Sequence, residues 1–183
     1  LTHANPDHIG GLAGPLQTPL FRNVQQLFVH EKELAFWRDE RRYTSAPDAQ
    51  RPFIDLAKNA FAAYDDRLVP FRQEAILPGI QAVPLFGHTP GNCGYLLGDE
   101  HQSLLDWGDI VHFPHIQIAQ PEVTIAFDSD PAAASAVRHQ LLDRAVSDNL
   151  SVSGMHFNLP TSGKVKRDGA TYALDYDHWS PVL

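Results

Sequence analysis

The chain has 183 residues, 43% of them apolar, which is enough for one domain with a sizeable core and too many for a disordered chain. Its 14 basic residues stand against 22 acidic ones, a net charge of −8, which argues against a nucleic-acid surface and fits neutral or cationic substrates. The single cysteine, Cys93, excludes an intrachain disulfide and a Cys-rich zinc site.

The chain opens on Leu-Thr-His-Ala-Asn-Pro-Asp-His, so His3, Asp7 and His8 fall within six positions of one another. Imidazole nitrogen together with carboxylate oxygen suits a borderline metal such as zinc. Pro6 stiffens the loop, and Gly10 and Gly11 permit backbone angles that other residues resist. The plainer alternative is a surface turn that holds two histidines by accident.

Residues 9–22 lead out of this loop into a short helix or turn, interrupted by Pro15 and Pro19. Gln26 to Val29 reads as a strand and Glu31 to Arg41 as a helix with Leu34, Ala35 and Trp37 among its apolar members. Beyond a polar loop at 45–50, Phe53, Leu56, Ala57, Ala60, Phe61 and Tyr64 recur at the spacing of one helix face. That face either covers the core or belongs to a helical cap over residues 31–75. In the second case Phe36, Trp37, Phe61 and Phe71 supply apolar walls to a pocket.

Ile80 to Phe86 and Gly94 to Leu97 read as neighbouring strands, with His88 in the Phe-Gly-His-Thr-Pro-Gly loop between them. Cys93, flanked by Gly91 and Gly94, reads as a small packing residue. Ser103 to Trp107 reads as a strand running into Asp109, and residues 112–122 as an irregular loop. Asp130 followed by Pro131 marks a helix start, and that helix runs to about Val146 with Val137, Leu141, Leu142 and Ala145 inward. Leu150 to Gly154 reads as a strand leading to His156, and Thr171 to Leu174 as the last strand. His88, Asp109 and His156 therefore each follow a strand-like run, where a rigid backbone can hold a ligand in place. No apolar run approaches the roughly 20 residues of a membrane span. With no repeat and no linker, the expectation is one domain.

These motifs, in this order, resemble the metallo-β-lactamase-fold superfamily. Its signature is His-x-His-x-Asp-His, then a Gly-His-Thr-Pro-Gly histidine, then Gly-Asp, then a late histidine. The Trp-Gly-Asp-Ile-Val-His segment looks most like the methyl parathion hydrolase and lactonase-like branch, and the resemblance runs to about residue 175. It implies an αββα metallo-β-lactamase-like α/β sandwich with a dinuclear metal centre, most simply two zinc ions. His3 and His88 would bind the first metal, Asp7, His8 and His156 the second, and Asp109 would bridge both. Asn5 stands where the family has its second histidine, which weakens the first position. The chain also begins at the first motif, so the expectation is the C-terminal part of a longer domain that lacks its N-terminal strands. Val83, Leu85, Leu96 and Leu105 would then be short of cover.

Two cations about 3.5–4 Å apart need several donors and a bridging carboxylate to offset their repulsion, and metal-bound water ionises near pH 7. The resemblance thus implies a metal-dependent hydrolase whose metal-bound hydroxide attacks an ester, lactone or phosphoester. Asp7 and Asp109 would be its catalytic carboxylates, with Asp7 steering a proton. The alternative is a metal-binding protein of the same fold with weak or no catalysis because of Asn5. A third reading, a redox member using iron, lacks the Glu that branch carries in its first motif. No Ser-His-Asp arrangement and no Gly-rich phosphate loop competes. His112 reads as a support for a neighbouring ligand. His30, His101, His115, His139 and His178 read as surface or packing residues. The partner expected is a small-molecule ester, lactone or phosphoester, with no nucleic acid and no membrane, and a homodimer is compatible with this reading.

Overall fold

A computed structural model describes residues 1–72, 75–99 and 103–179. Its backbone divides into two compact units, residues 1–73 and 74–183. Among the described residues no helix is long and apolar enough to cross a membrane.

The first unit begins with one helical turn, α1 (Pro6–Ile9), followed by a small antiparallel pair, β1 (Ala13–Gly14) and β2 (Thr18–Pro19). Strand β3 (Leu27–His30) leads directly into α2 (Glu31–Arg38), then α3 (Glu40–Ser45) and α4 (Arg51–Ala63). Strand β4 (Leu68–Phe71) closes the unit by pairing with β3 in parallel. The helix expected over 31–41 is two helices. Asp39 leaves the helical conformation at ψ 114°, and its side chain accepts the Arg41 amide at 2.9 Å, so it ends one helix and caps the next.

The apolar face of α4 is shifted from the one expected. Ile54, Ala57, Ala60 and Phe61 are buried, while Phe53 and Leu56 are exposed. Trp37 and Phe61 are sealed in the same cluster as Ile9, Val29 and Ile54, so they are core of this unit and cannot be walls of an open pocket. Phe36 lies against Trp37 and beneath the Arg42 guanidinium, and Phe71 meets the His30 ring edge-on at 5.3 Å.

The second unit is a seven-stranded sheet with one long helix. Its strands are β5 (Ala75–Leu77), β6 (Ile80–Pro84), β7 (Cys93–Gly98), β8 (Ser103–Asp106), β9 (Ser151–Ser153), β10 (Ser162–Asp168) and β11 (Thr171–Tyr176), in the spatial order 11-10-9-8-7-6-5. A short helix, α5 (Pro114–Gln117), interrupts the loop expected at 112–122. Helix α6 (Pro131–Ser147) connects β8 to its parallel neighbour β9. Its start is the one expected, with Pro131 in the first turn and the Asp130 carboxylate accepting the Ala133 amide at 3.0 Å.

Leu141, Leu142 and Ala145 of α6 are buried against Leu105, Trp107 and Val152, and Val137 packs beside them. Leu85 and Leu105, expected to lack cover, are 2% and 0% exposed, and Val83 and Leu96 pack against the same cluster. The expected shortage of cover is therefore not found at Leu85 and Leu105, while Val83 and Leu96 are half-buried.

Because β7 is antiparallel to both β6 and β8, and β9 is parallel to β8, strands β6, β8 and β9 all run the same way. Their carboxyl ends lie at one edge, and there the chain places His88, Asp109 and His156. This is where open α/β sheets characteristically present ligands.

Gly87 makes the loop after β6 possible. Its φ is +138°, and a Cβ there would fall 2.3 Å from the Ala134 amide nitrogen of α6. Gly87→Ala is expected to destabilise the protein by about 2–4 kcal/mol, combining a φ that L residues resist with overpacking. A denaturant midpoint measured against wild type checks this.

His30 sets a pH dependence. Its Nδ1 accepts the Lys32 amide at 3.2 Å, capping α2, and this needs the neutral ring. Burial lowers its pKa from 6.5, Lys32 lowers it further, and Glu31 partly opposes them. A depressed histidine pKa means that the unfolded chain binds the extra proton. The stability it contributes is present above pH 6.5 and is lost as pH falls through the folded value. His30→Asn keeps a capping acceptor without a titration. Its melting temperature is expected to fall less than that of wild type between about pH 7 and pH 5.

Candidate metal centre

In the first unit, three of the expected ligands are brought together by α1. Asn5 starts the turn through its carbonyl, which accepts the His8 and Ile9 amides at 3.0 and 3.1 Å. That turn folds His8 back over His3, with ring centroids 4.0 Å apart, and leaves His8 Nε2 3.5 Å from Asp7 Oδ2. His3 is fully buried and Asp7 is exposed.

Glu33 holds this turn in place. Its carboxylate is fully buried, and Oε1 accepts both the Ala4 amide at 2.8 Å and the Trp37 indole N–H at 2.7 Å. A buried carboxylate is costly unless it is well hydrogen-bonded, and here it fixes the backbone beside His3 to helix α2.

In the second unit, Asp109 sits in a 3-10 turn, Gly108–Ile110, directly after β8. It is 1% exposed, and three ring nitrogens surround its Oδ2: His156 Nε2 at 3.0 Å, His112 Nδ1 at 3.2 Å and His88 Nε2 at 3.8 Å. The His112 and His156 rings lie 3.7 Å apart. Burial pushes the His112 pKa below its usual value, and His156 and His88 push it the same way, against the pull of Asp109.

His156 is set by Gly154, where a Cβ would lie 2.4 Å from the Trp107 indole nitrogen. The backbone before His156 can therefore lie against the buried indole only because position 154 has no side chain.

The donors present in each unit, imidazole nitrogens and a carboxylate with no soft thiolate among them, have the chemistry that suits a divalent cation. His112 contacts the Asp109 carboxylate at 3.2 Å, the place of a support for a neighbouring ligand. His30 is buried and caps a helix, whereas His115, His139 and His178 are exposed. His101 lies outside the described residues.

Sequence reasoning missed Asp128 and Arg138. Asp128 Oδ1 accepts the His88 Nδ1–H at 3.0 Å. Arg138, fully buried on α6, donates to the carbonyls of Ile110, Pro121 and Val123 at 2.6–2.7 Å. The spacing of an arginine on a helix gives no sign of burial, and Asp128 lies among residues that read as the approach to a helix.

The sequence pattern of the metallo-beta-lactamase superfamily matches residues 1–156, and the chain belongs to that superfamily. It has the mixed α/β fold of its members. Among solved structures, it is similar to the hydrolase AbOPH of the beta lactamase superfamily, with 26% identity and a TM-score of 0.89 over 99% of this chain and 64% of that one. It is also similar in fold to AidC, a dizinc quorum-quenching lactonase, with 22% identity, a TM-score of 0.89 and the same coverage. The chain thus spans 64% of the length of each. No curated protein matches it.

Glu33→Ala is expected to leave the Ala4 amide and the Trp37 indole N–H without this acceptor, at about 1–3 kcal/mol for each donor. Thermal unfolding should show the loss, and hydrogen exchange should show faster exchange at Ala4. Unchanged exchange at Ala4 would show that Glu33 does not hold the turn.

Proposed function

We propose that the protein is a metal-dependent hydrolase acting on a small ester, lactone or phosphoester. The observation that carries this reading is the buried Asp109 carboxylate, focused on by His88, His112 and His156 at the carboxyl ends of β6, β8 and β9. Membership of the superfamily supports it. His3, Asp7 and His8 in the first unit, and His88, Asp109 and His156 in the second, are the residues that would hold divalent ions. When bound, such ions act as Lewis acids that lower the pKa of a coordinated water to about 7 and polarise the substrate oxygen.

The chain's own residues do the rest. Asp109 and the imidazoles supply the negative charge and neutral donors that such ions need. Asp7, exposed and 3.5 Å from His8 Nε2, can take a proton and pass it to solvent. Phe113, Ile116 and Met155 stand exposed beside His112 and His156 in the chain and suit a substrate with an apolar arm. In this reading residues 1–183 form a single domain that includes the helical segment at 31–75.

The second reading, a metal-binding protein with weak catalysis, rests on Asn5. An amide oxygen there is a poorer zinc donor than imidazole.

Elemental analysis of protein purified without chelator, paired with turnover of a chromogenic ester, separates the two. Hydrolysis that disappears on chelation and returns with zinc supports the hydrolase. Metal without turnover supports the second reading, and no metal overturns both. Asn5→His is expected to raise metal stoichiometry and hydrolytic rate together. If neither rises, position 5 is not a weakened ligand position.

A further inference from the structure

Metal ligation by His88 needs one particular ring nitrogen. Its Nε2 faces Asp109 Oδ2 at 3.8 Å, so Nε2 must carry the lone pair and Nδ1 the proton. Nothing in the ring itself ensures this. The outcome is decided by what Nδ1 meets, and it meets the Asp128 carboxylate at 3.0 Å. Both groups are buried, at 0% and 1% side-chain exposure.

Asp128 is itself fixed from several directions. Its Oδ2 accepts the Ile125 amide at 3.0 Å and lies 4.0 Å from the Arg138 guanidinium. The next two residues are tied to the His88 loop, since the Ser129 amide donates to the His88 carbonyl and the Asp130 amide to the Gly87 carbonyl, both at 2.9 Å. Arg138 also grips the Ile110 carbonyl, one residue from Asp109, and the Pro121 and Val123 carbonyls that lead to Asp128. One buried arginine thus braces both the turn that carries Asp109 and the loop that carries Asp128.

We infer that Asp128 is a positioning residue that fixes the Nδ1–H tautomer of His88, with Arg138 as the clamp that holds Asp128 and the Asp109 turn in register. The inference rests on the metal reading for its purpose, but its physical content is testable in the metal-free protein. A carboxylate behind a ligating histidine orients the ring and raises its basicity, and loss of such a partner typically lowers metal affinity about 10–100-fold.

The test uses the full chain and two readouts. The first is the long-range proton–nitrogen correlation spectrum of the histidine rings without metal, with His88 assigned by difference from His88→Gln. The second is zinc affinity by competition with a chromophoric chelator. Wild type should show His88 protonated at Nδ1, with that proton shifted downfield by the carboxylate. Asp128→Ala should lose this signal, and zinc affinity should fall about 10–100-fold. Asp128→Asn keeps an oxygen acceptor of the same shape and guards against misfolding of the alanine variant. It should retain the Nδ1–H tautomer but move the proton upfield, with a smaller fall in affinity. If wild type takes up no zinc but Asp128→Ala still loses the Nδ1–H signal, the metal reading fails and the positioning of His88 stands. An unchanged His88 spectrum and unchanged zinc affinity in folded Asp128 variants would overturn the inference.

Discussion

A carboxylate that is 1% exposed and surrounded by imidazole nitrogens is the feature on which the second unit depends. Desolvating a carboxylate costs several kcal/mol unless paired donors or a cation compensate. The fold meets that demand with strand direction. Three strands that run the same way deliver His88, Asp109 and His156 to one edge of the sheet. The loops after them are then held by features that have no role in chemistry themselves. Gly87 lets its loop touch α6, Gly154 lets the chain lie against Trp107, and Arg138 takes up three carbonyls of the irregular 110–123 segment.

The first unit solves a smaller problem by similar means. A loop of six residues has little packing of its own, yet His3 and His8 are held ring against ring. The buried Glu33 carboxylate ties the Ala4 amide and the Trp37 indole to one oxygen, so the loop inherits the rigidity of α2. In both units, then, a buried charged side chain that makes no claim as a ligand keeps candidate ligands in place.

How much of this was legible in the sequence depends on the range of the interaction. His3, Asp7 and His8 are neighbours in the chain, so their grouping is local. His88, Asp109 and His156 were legible because each follows an apolar run that forms a strand, and the start of α6 because Asp130 and Pro131 act within one turn. Strand β10 was missed because Ser-Gly-Lys-Val-Lys-Arg-Asp holds one large apolar residue, Val165, and is stabilised by pairing with β9 and β11. The break at Asp39 was missed because a capping aspartate inside a charged run looks like any solvated residue. Asp128 and Arg138 were missed because the partners that tie them to the site lie 10 to 40 residues away and periodicity carries no such information. The α4 face was misplaced because Phe53 and Leu56 fit the helical spacing as well as Ile54 does, and only packing decides between them.

The central claim is that these histidines and aspartates hold divalent metal. Anomalous diffraction above and below the zinc edge, from crystals of protein purified without chelator, tests it most directly. Anomalous density is expected at the Asp109 carboxylate, stronger beside His156 than beside His88. Crystals with zinc in the solution and no anomalous density at Asp109 would contradict it.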